Sequence, residues 1–166
     1  QAEIKTFLAQ STFRKWIEQG EWTKISKTIR KEVAENKRVL NDTNFDLLLY
    51  TENQKSGNKK YNGILDAYAL LATYDKKKTL TVKAQIDQGY AAAKLGGYKR
   101  AKGYYRRALK KTPDKDVDLV LQLVGELKRL YERSKDYASL VVIYKRAYSV
   151  LKKSSRPKNE SRTYAY

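Results

Sequence analysis

Apolar residues recur along most of this chain at intervals of three and four, the period of an amphipathic α-helix. Ile4, Phe7, Leu8, Phe13, Trp16 and Ile17 predict helical structure over residues 2–19, with a shift of phase near Ser11 and Thr12. A tight turn is expected at Gln19-Gly20-Glu21. Trp22, Ile25, Ile29, Val33 and Leu40 then predict a second helix, with basic residues around its other faces, folded back on the first. Trp16 and Trp22 flank the turn and are expected to fill the core at the mouth of this hairpin. Asn41-Asp-Thr-Asn44 reads as a capping cluster ahead of a third apolar segment, Phe45 to Tyr50. The polar stretch from Thr51 to Lys60 is either a loop or a helix that runs through Gln54 and breaks at Ser56-Gly57. Asn62 is expected to cap a helix carrying Ile64, Leu65, Tyr68, Leu71 and Tyr74.

After the basic connector Asp75-Lys-Lys-Lys78, Thr79 or Thr81 begins a helix with Ile86, Tyr90 and Ala93 directed inward. This helix meets the next at Gly96-Gly97. Tyr98, Ala101, Tyr105 and Ala108 then line one helical face, where alanine lets two backbones approach closely and tyrosine fills the space beside it. Pro113 cannot continue the helix and closes the hairpin. Asp114, Asp116 and Asp118 suit the start of the following helix, where carboxylates favour the positive end of the dipole; a cation site is the weaker reading of these three. Val117, Val120, Leu121, Val124, Leu127, Leu130 and Tyr131 give that helix a broad apolar face. A turn at Arg133-Ser-Lys-Asp136 leads into Tyr137, Leu140, Tyr144, Ala147, Tyr148 and Leu151.

Gly89, Gly96, Tyr98, Ala101, Tyr105, Ala108 and Pro113 fall at the spacing of a tetratricopeptide repeat, and Ala84 to Pro113 resembles one. Gln85 and Gln88 stand where that family carries its first-helix Trp and Leu. Residues Val120 to Leu151 resemble a degenerate copy. The offset from Tyr98 to Tyr137 is 39 residues, against roughly 34 in a regular array, so stacked hairpins with an irregular joint are expected. The fold class is all-α: antiparallel hairpins forming an up-down four-helix bundle, followed by a further hairpin. The expected division is a bundle over 1–113, a C-terminal hairpin over 114–152 packed on it, and a basic tail over 153–166.

Charge narrows the function. The chain has 166 residues and a formal net charge of +18, from 36 basic and 18 acidic residues. Such a chain is drawn to acidic partners. Between Asp87 and Asp114 no acidic residue occurs, while Lys94, Lys99, Arg100, Lys102, Arg106, Arg107, Lys110 and Lys111 are all basic. With Lys152, Lys153 and Arg156 of the tail they are the candidate partner-binding residues. The chain lacks Cys, His and Met, which removes thiolate nucleophiles, the usual metal ligand and the usual neutral-pH base. No catalytic constellation, phosphate-cradling motif, cofactor site or metal site is read from the residues. No long uncharged apolar run exists to span a membrane. The Gln1 start and the missing Met point to a mature exported or organelle-imported chain.

A second resemblance covers residues 3–112. The run Trp16-Ile-Glu-Gln-Gly-Glu-Trp-Thr-Lys-Ile-Ser-Lys-Thr-Ile29, with Phe13 before it, and the run Ile86 to Leu109 are similar to the Q-type extrinsic subunits of photosystem II. That resemblance implies a basic, cysteine-free helical bundle of the thylakoid lumen that caps a membrane-embedded complex and performs no chemistry. The hairpin from Asp116 to Leu151 departs from it. The expected function is a docking subunit for an acidic face of a larger protein complex. The alternative is a nucleic-acid binder using the basic face of residues 88–113.

Overall fold

In the computed structural model, residues 13–154 are described. Among them the chain is all-α. It forms α1 (Arg14–Glu18), α2 (Trp22–Ala34), α3 (Asp42–Asn53), α4 (Gly57–Tyr74), a 3-10 turn (Lys76–Leu80), α5 (Val82–Lys94), α6 (Tyr98–Lys111), α7 (Val117–Arg133) and α8 (Tyr137–Lys153). The chain divides into two compact units between Thr79 and Leu80. The expected division at 113 is therefore not the one observed. The α5–α6 hairpin shares a core with α7 and α8, so it belongs to the C-terminal unit.

The N-terminal unit grows by consecutive packing of α1 on α2, α2 on α3 and α3 on α4. Its core holds Phe13, Ile25, Ile29, Val33, Leu47, Leu48, Ile64, Ala67 and Leu71, all nearly inaccessible to water. Burying each large aliphatic side chain of this set stabilises the unit by about 1.5–3 kcal/mol. The expected turn at Gly20 forms, with φ +66. Phe13 takes the core position beside it, whereas Trp16 and Trp22 are only half-buried. Trp16 stacks on Phe13 at 5.7 Å, and Trp22 meets Tyr50 edge-on at 6.3 Å.

Helix α2 ends earlier than its apolar spacing implies. Asn36 adopts φ +54, and the amides of Lys37 and Arg38 turn back to the Glu32 carbonyl. Asparagine tolerates this left-handed backbone and stops the helix. Leu40 is still buried, but from the connection rather than from a helix. The Asn41 cap is as expected: its side chain accepts from the Asn44 amide at 2.9 Å. The helical alternative for Thr51 to Lys60 is the observed one. α3 continues to Asn53, and Gly57, at φ +56, opens α4. Asn62 lies inside α4 and is not its cap.

In the C-terminal unit α5 packs on α6, α6 on α7 and α7 on α8. Thr81 caps α5 by accepting from the Ala84 amide at 3.2 Å. Ala91, Ala101, Ala108 and Ala147 are fully buried, and their small side chains let the helices approach closely. Tyr105 fills the space between them at 2 % exposure. Three tyrosines, Tyr90, Tyr137 and Tyr148, depart from the expected inward face. Tyr90 is 43 % and Tyr137 65 % exposed, because each lies on a helix face without a covering helix among the described residues. Gln85 and Gln88, which depart from the tetratricopeptide pattern, are buried and satisfied. Gln85 Oε1 accepts from Arg107 Nε at 2.7 Å, and Gln88 Nε2 donates to the Ala84 carbonyl at 3.0 Å.

Burial pushes the Tyr105 hydroxyl well above the ordinary tyrosine value of about 10, with Glu126 adding to the effect. Tyr131 moves the same way, again mainly through burial. A raised folded-state value leaves stability unaffected while both states stay neutral. Stability falls once the unfolded chain alone ionises. The C-terminal unit is expected to lose stability above about pH 10, at up to about 1.4 kcal/mol per pH unit from Tyr105. Urea unfolding between pH 8 and about pH 12 checks this. The Tyr105→Phe variant should show a shallower alkaline slope.

Candidate docking groove on the C-terminal unit

The basic run is built by α6. Its buried face is Ala101, Tyr105, Ala108 and Leu109, so the cations are left on the remaining surface. Lys99, Gly103, Arg106 and Lys110 follow at steps of four, three and four residues and therefore share one stripe. Arg100, Arg107 and Lys111 lie on the neighbouring flank. The α6 stripe forms one wall of a groove of about 540 Å³. Gly103, Arg106, Arg107 and Lys110 line that wall. Leu127 and Tyr131 of α7 form the floor, and Ser139, Val142, Ile143 and Arg146 of α8 form the opposite wall.

The expected partner-binding residues separate into those already engaged and those still available. Arg107 is held by Gln85 and lies over the Tyr104 ring at 5.0 Å. Lys102 donates to Ser134 Oγ at 3.1 Å and lies over Tyr131 at 5.8 Å. Lys111 donates to the Leu80 carbonyl at 2.5 Å. Lys153 reaches Asp114 at 3.6 Å, and Lys94 lies over Tyr90 at 5.4 Å. By contrast, Lys99, Arg100, Arg106 and Lys110 are exposed and form no ion pair among the described residues. Lys152 is likewise exposed and outside the groove, and Arg156 lies outside the described residues.

Arg146 is the residue that the basic run does not announce. It donates from Nη1 to the Leu109 carbonyl and from Nη2 to the Thr112 carbonyl at 2.5 Å, with Asp114 Oδ1 at 3.4 Å. These are carbonyls at the end of α6, the groups a helix leaves unsatisfied. Arg146 thus ties the C-terminus of one groove wall to the other. Asp114 serves this clamp, together with Lys153, rather than a cation site. Arg146→Ala is expected to lower the stability of the C-terminal unit by roughly 1.5–3 kcal/mol, the contribution of hydrogen bonds from a charged donor. Denaturant unfolding followed by circular dichroism checks this.

An acid stands three residues before the groove-lining Ser139. Asp136 begins α8, where its carboxylate accepts from the Ser139 amide at 3.1 Å and from Ser139 Oγ at 2.7 Å. Those bonds, aided by Lys102 and Arg106, hold its carboxyl below the usual aspartate range. Burial on the floor moves the Tyr131 hydroxyl above the ordinary tyrosine value. The groove is therefore cationic on the α6 side and apolar on its floor and much of the α8 side. It offers charge and an apolar seat. Among the described residues, no acidic cluster is arranged to hold a metal ion, and no helix is long and apolar enough to cross a membrane. No protein-family model, curated protein or solved structure matches this chain.

Proposed function

We propose that this protein is a non-catalytic docking subunit that binds an acidic face of a larger protein complex through the α6 side of its C-terminal unit. The observation that carries this reading is the set of Lys99, Arg100, Arg106 and Lys110, exposed and without ion pairs among the described residues, beside an apolar-floored groove. Surface cations of a stable fold are commonly matched by nearby acids, and this chain matches many: Arg14 with Glu18, Lys83 with Asp87, Lys128 with Glu132. Lys99, Arg100, Arg106 and Lys110 form no ion pair within 4 Å among the described residues, in a chain of net charge +18. An acidic partner supplies the missing charge, accelerates encounter and fixes register.

A narrower form of the proposal makes the partner a membrane-embedded complex, with the chain as a lumenal extrinsic subunit of photosystem II. Its support is the resemblance of residues 3–112 alone. The nucleic-acid reading has the charge in its favour, but the tyrosines nearest the stripe are engaged. Tyr105 and Tyr131 are buried, and Tyr104 lies under Arg107, so none presents a free ring for base stacking.

The test is affinity purification of the protein from its source, at low and then at moderate salt. Recovery of a defined protein complex that moderate salt releases supports the proposal. Recovery of nucleic acid with no protein partner moves the function to the alternative.

A further inference from the structure

We propose that the groove between α6 and α8 receives an extended segment of the partner in which acidic and apolar residues alternate. This rests on the docking reading and names the chemistry that one site would recognise. The two walls differ in kind. On α6, Arg106 and Lys110 stand one turn apart, exposed and free of ion pairs among the described residues. On α8, Val142 and Ile143 line the opposite wall; Val142 is 67 % exposed despite being apolar, while Ile143 is mostly buried in the core and offers only its edge. Arg146, although on the α8 wall, is committed to the Leu109 and Thr112 carbonyls.

The spacing fits an extended chain. Arg106 and Lys110 are separated by about 6 Å along the α6 axis. Residues i and i+2 of an extended peptide are separated by about 6.5–7 Å and point to the same side. Two acids at i and i+2 therefore meet the two cations, while the residues at i+1 and i+3 turn to Val142 and Ile143. The groove volume of about 540 Å³ lies within the usual range for a bound segment or small ligand, and a flat domain face would leave it empty. Nucleic acid presents phosphate on its outside and offers no alternating apolar side chain to the α8 wall.

The test uses the full chain and a fluorescein-labelled octapeptide, acetyl-Glu-Val-Glu-Val-Glu-Val-Glu-Val-amide, in fluorescence anisotropy at low salt. The comparison probes are a block-order peptide, acetyl-Glu-Glu-Glu-Glu-Val-Val-Val-Val-amide, and polyglutamate of matched charge. The alternating peptide is expected to bind at least fivefold more tightly than the block peptide. Val142→Glu, at an exposed position, and the pair Arg106→Glu with Lys110→Glu should each weaken it at least tenfold, with helical circular dichroism unchanged. If both peptides bind equally and Val142→Glu has no effect, the groove proposal is overturned while charge-driven docking stands. If neither peptide nor polyglutamate binds, both the groove and the docking reading are overturned.

Discussion

Replacing Glu52 with alanine is expected to destabilise the N-terminal unit by about 3–5 kcal/mol, because it leaves two cations partly buried without their counter-ion. Glu52 sits on α3 at 1 % exposure. Arg30 Nη2 donates to its Oε1 at 3.0 Å and also reaches the Gly63 carbonyl at 3.2 Å. Lys55 Nζ lies 2.5 Å from Oε2, as an ion contact that lacks the alignment of a hydrogen bond, and donates to Ser26 Oγ at 2.8 Å. The network thus joins α2, α3 and α4 at one point. Desolvating three charges is costly, so the network specifies how these helices meet more than it adds net stability. Two variants separate these effects. Glu52→Gln keeps the shape and removes the charge, and should lose nearly as much as Glu52→Ala. The triple variant Arg30→Met, Glu52→Leu, Lys55→Met removes all three charges and should recover most of the loss. Urea unfolding of each, read as midpoint and slope, is the measurement. The same site explains Gly63: a Cβ there would collide with the Glu52 carboxylate.

The second large effect is at Gly89. Gly89→Val is expected to cost the C-terminal unit about 3 kcal/mol, the upper end of ordinary overpacking. A Cβ at Gly89 would lie 3.0 Å from Tyr105 Cε1, 3.1 Å from Tyr105 Cδ1 and 3.2 Å from Tyr104 Cβ. The Tyr105 ring is 2 % exposed and packed into the shared core of α5 to α8, which resists its displacement. Helix propensity acts in the opposite direction, since glycine is about 1 kcal/mol worse than alanine in a helix interior. Gly89→Ala should still destabilise, because its Cβ meets both Tyr105 and Tyr104 at 3.0–3.2 Å and displacing a packed ring outweighs that gain. Gly125 is the control. It also lies inside a helix, α7, but nothing stands within 4 Å of its missing Cβ. Gly125→Ala should therefore stabilise by about 1 kcal/mol. Opposite signs at two helical glycines, measured by thermal unfolding, would establish that the α5–α6 approach is set by the Gly89–Tyr105 contact.

The hairpin that holds this contact is legible as spacing. Gly89, Ala101, Tyr105 and Ala108 mark a close hairpin from the residues alone, and the helices form with the expected turn at Gly96, φ +78. Pattern does not show where a polar residue finds its partner. Gln85 reads as a fault in a repeat, yet it is satisfied by Arg107, 22 residues away. Glu52 lies in a stretch open to reading as a loop, and burial makes it the centre of a charge network. Two boundaries differ from the apolar pattern for local reasons. Asn36 ends α2 through a left-handed backbone, and Gly57 rather than Asn62 opens α4. The unit division at Thr79 follows the connector Asp75 to Lys78, which the apolar pattern does not distinguish from the other connections between helices.

The basic stripe is legible only as an unbroken run of cations. Sequence does not separate Lys99, Arg100, Arg106 and Lys110 from Arg107, Lys111 and Lys102, whose hydrogen-bonding groups are taken within the unit. Nor does it show the α8 wall. Val142 and Ile143 read simply as part of a helix, and Arg146 as one more surface charge. Only the packing of α6 and α8 over α7 turns these residues into a groove.

Docking is proposed to rest on the unpaired cations of α6. The most direct measurement is recovery of the native partner by a variant with Lys99, Arg100, Arg106 and Lys110 all changed to glutamate. The partner is expected to be lost at low salt, with helical circular dichroism and thermal midpoint close to those of the unmodified protein. Recovery of the same partner in undiminished amount by this folded variant would contradict that role.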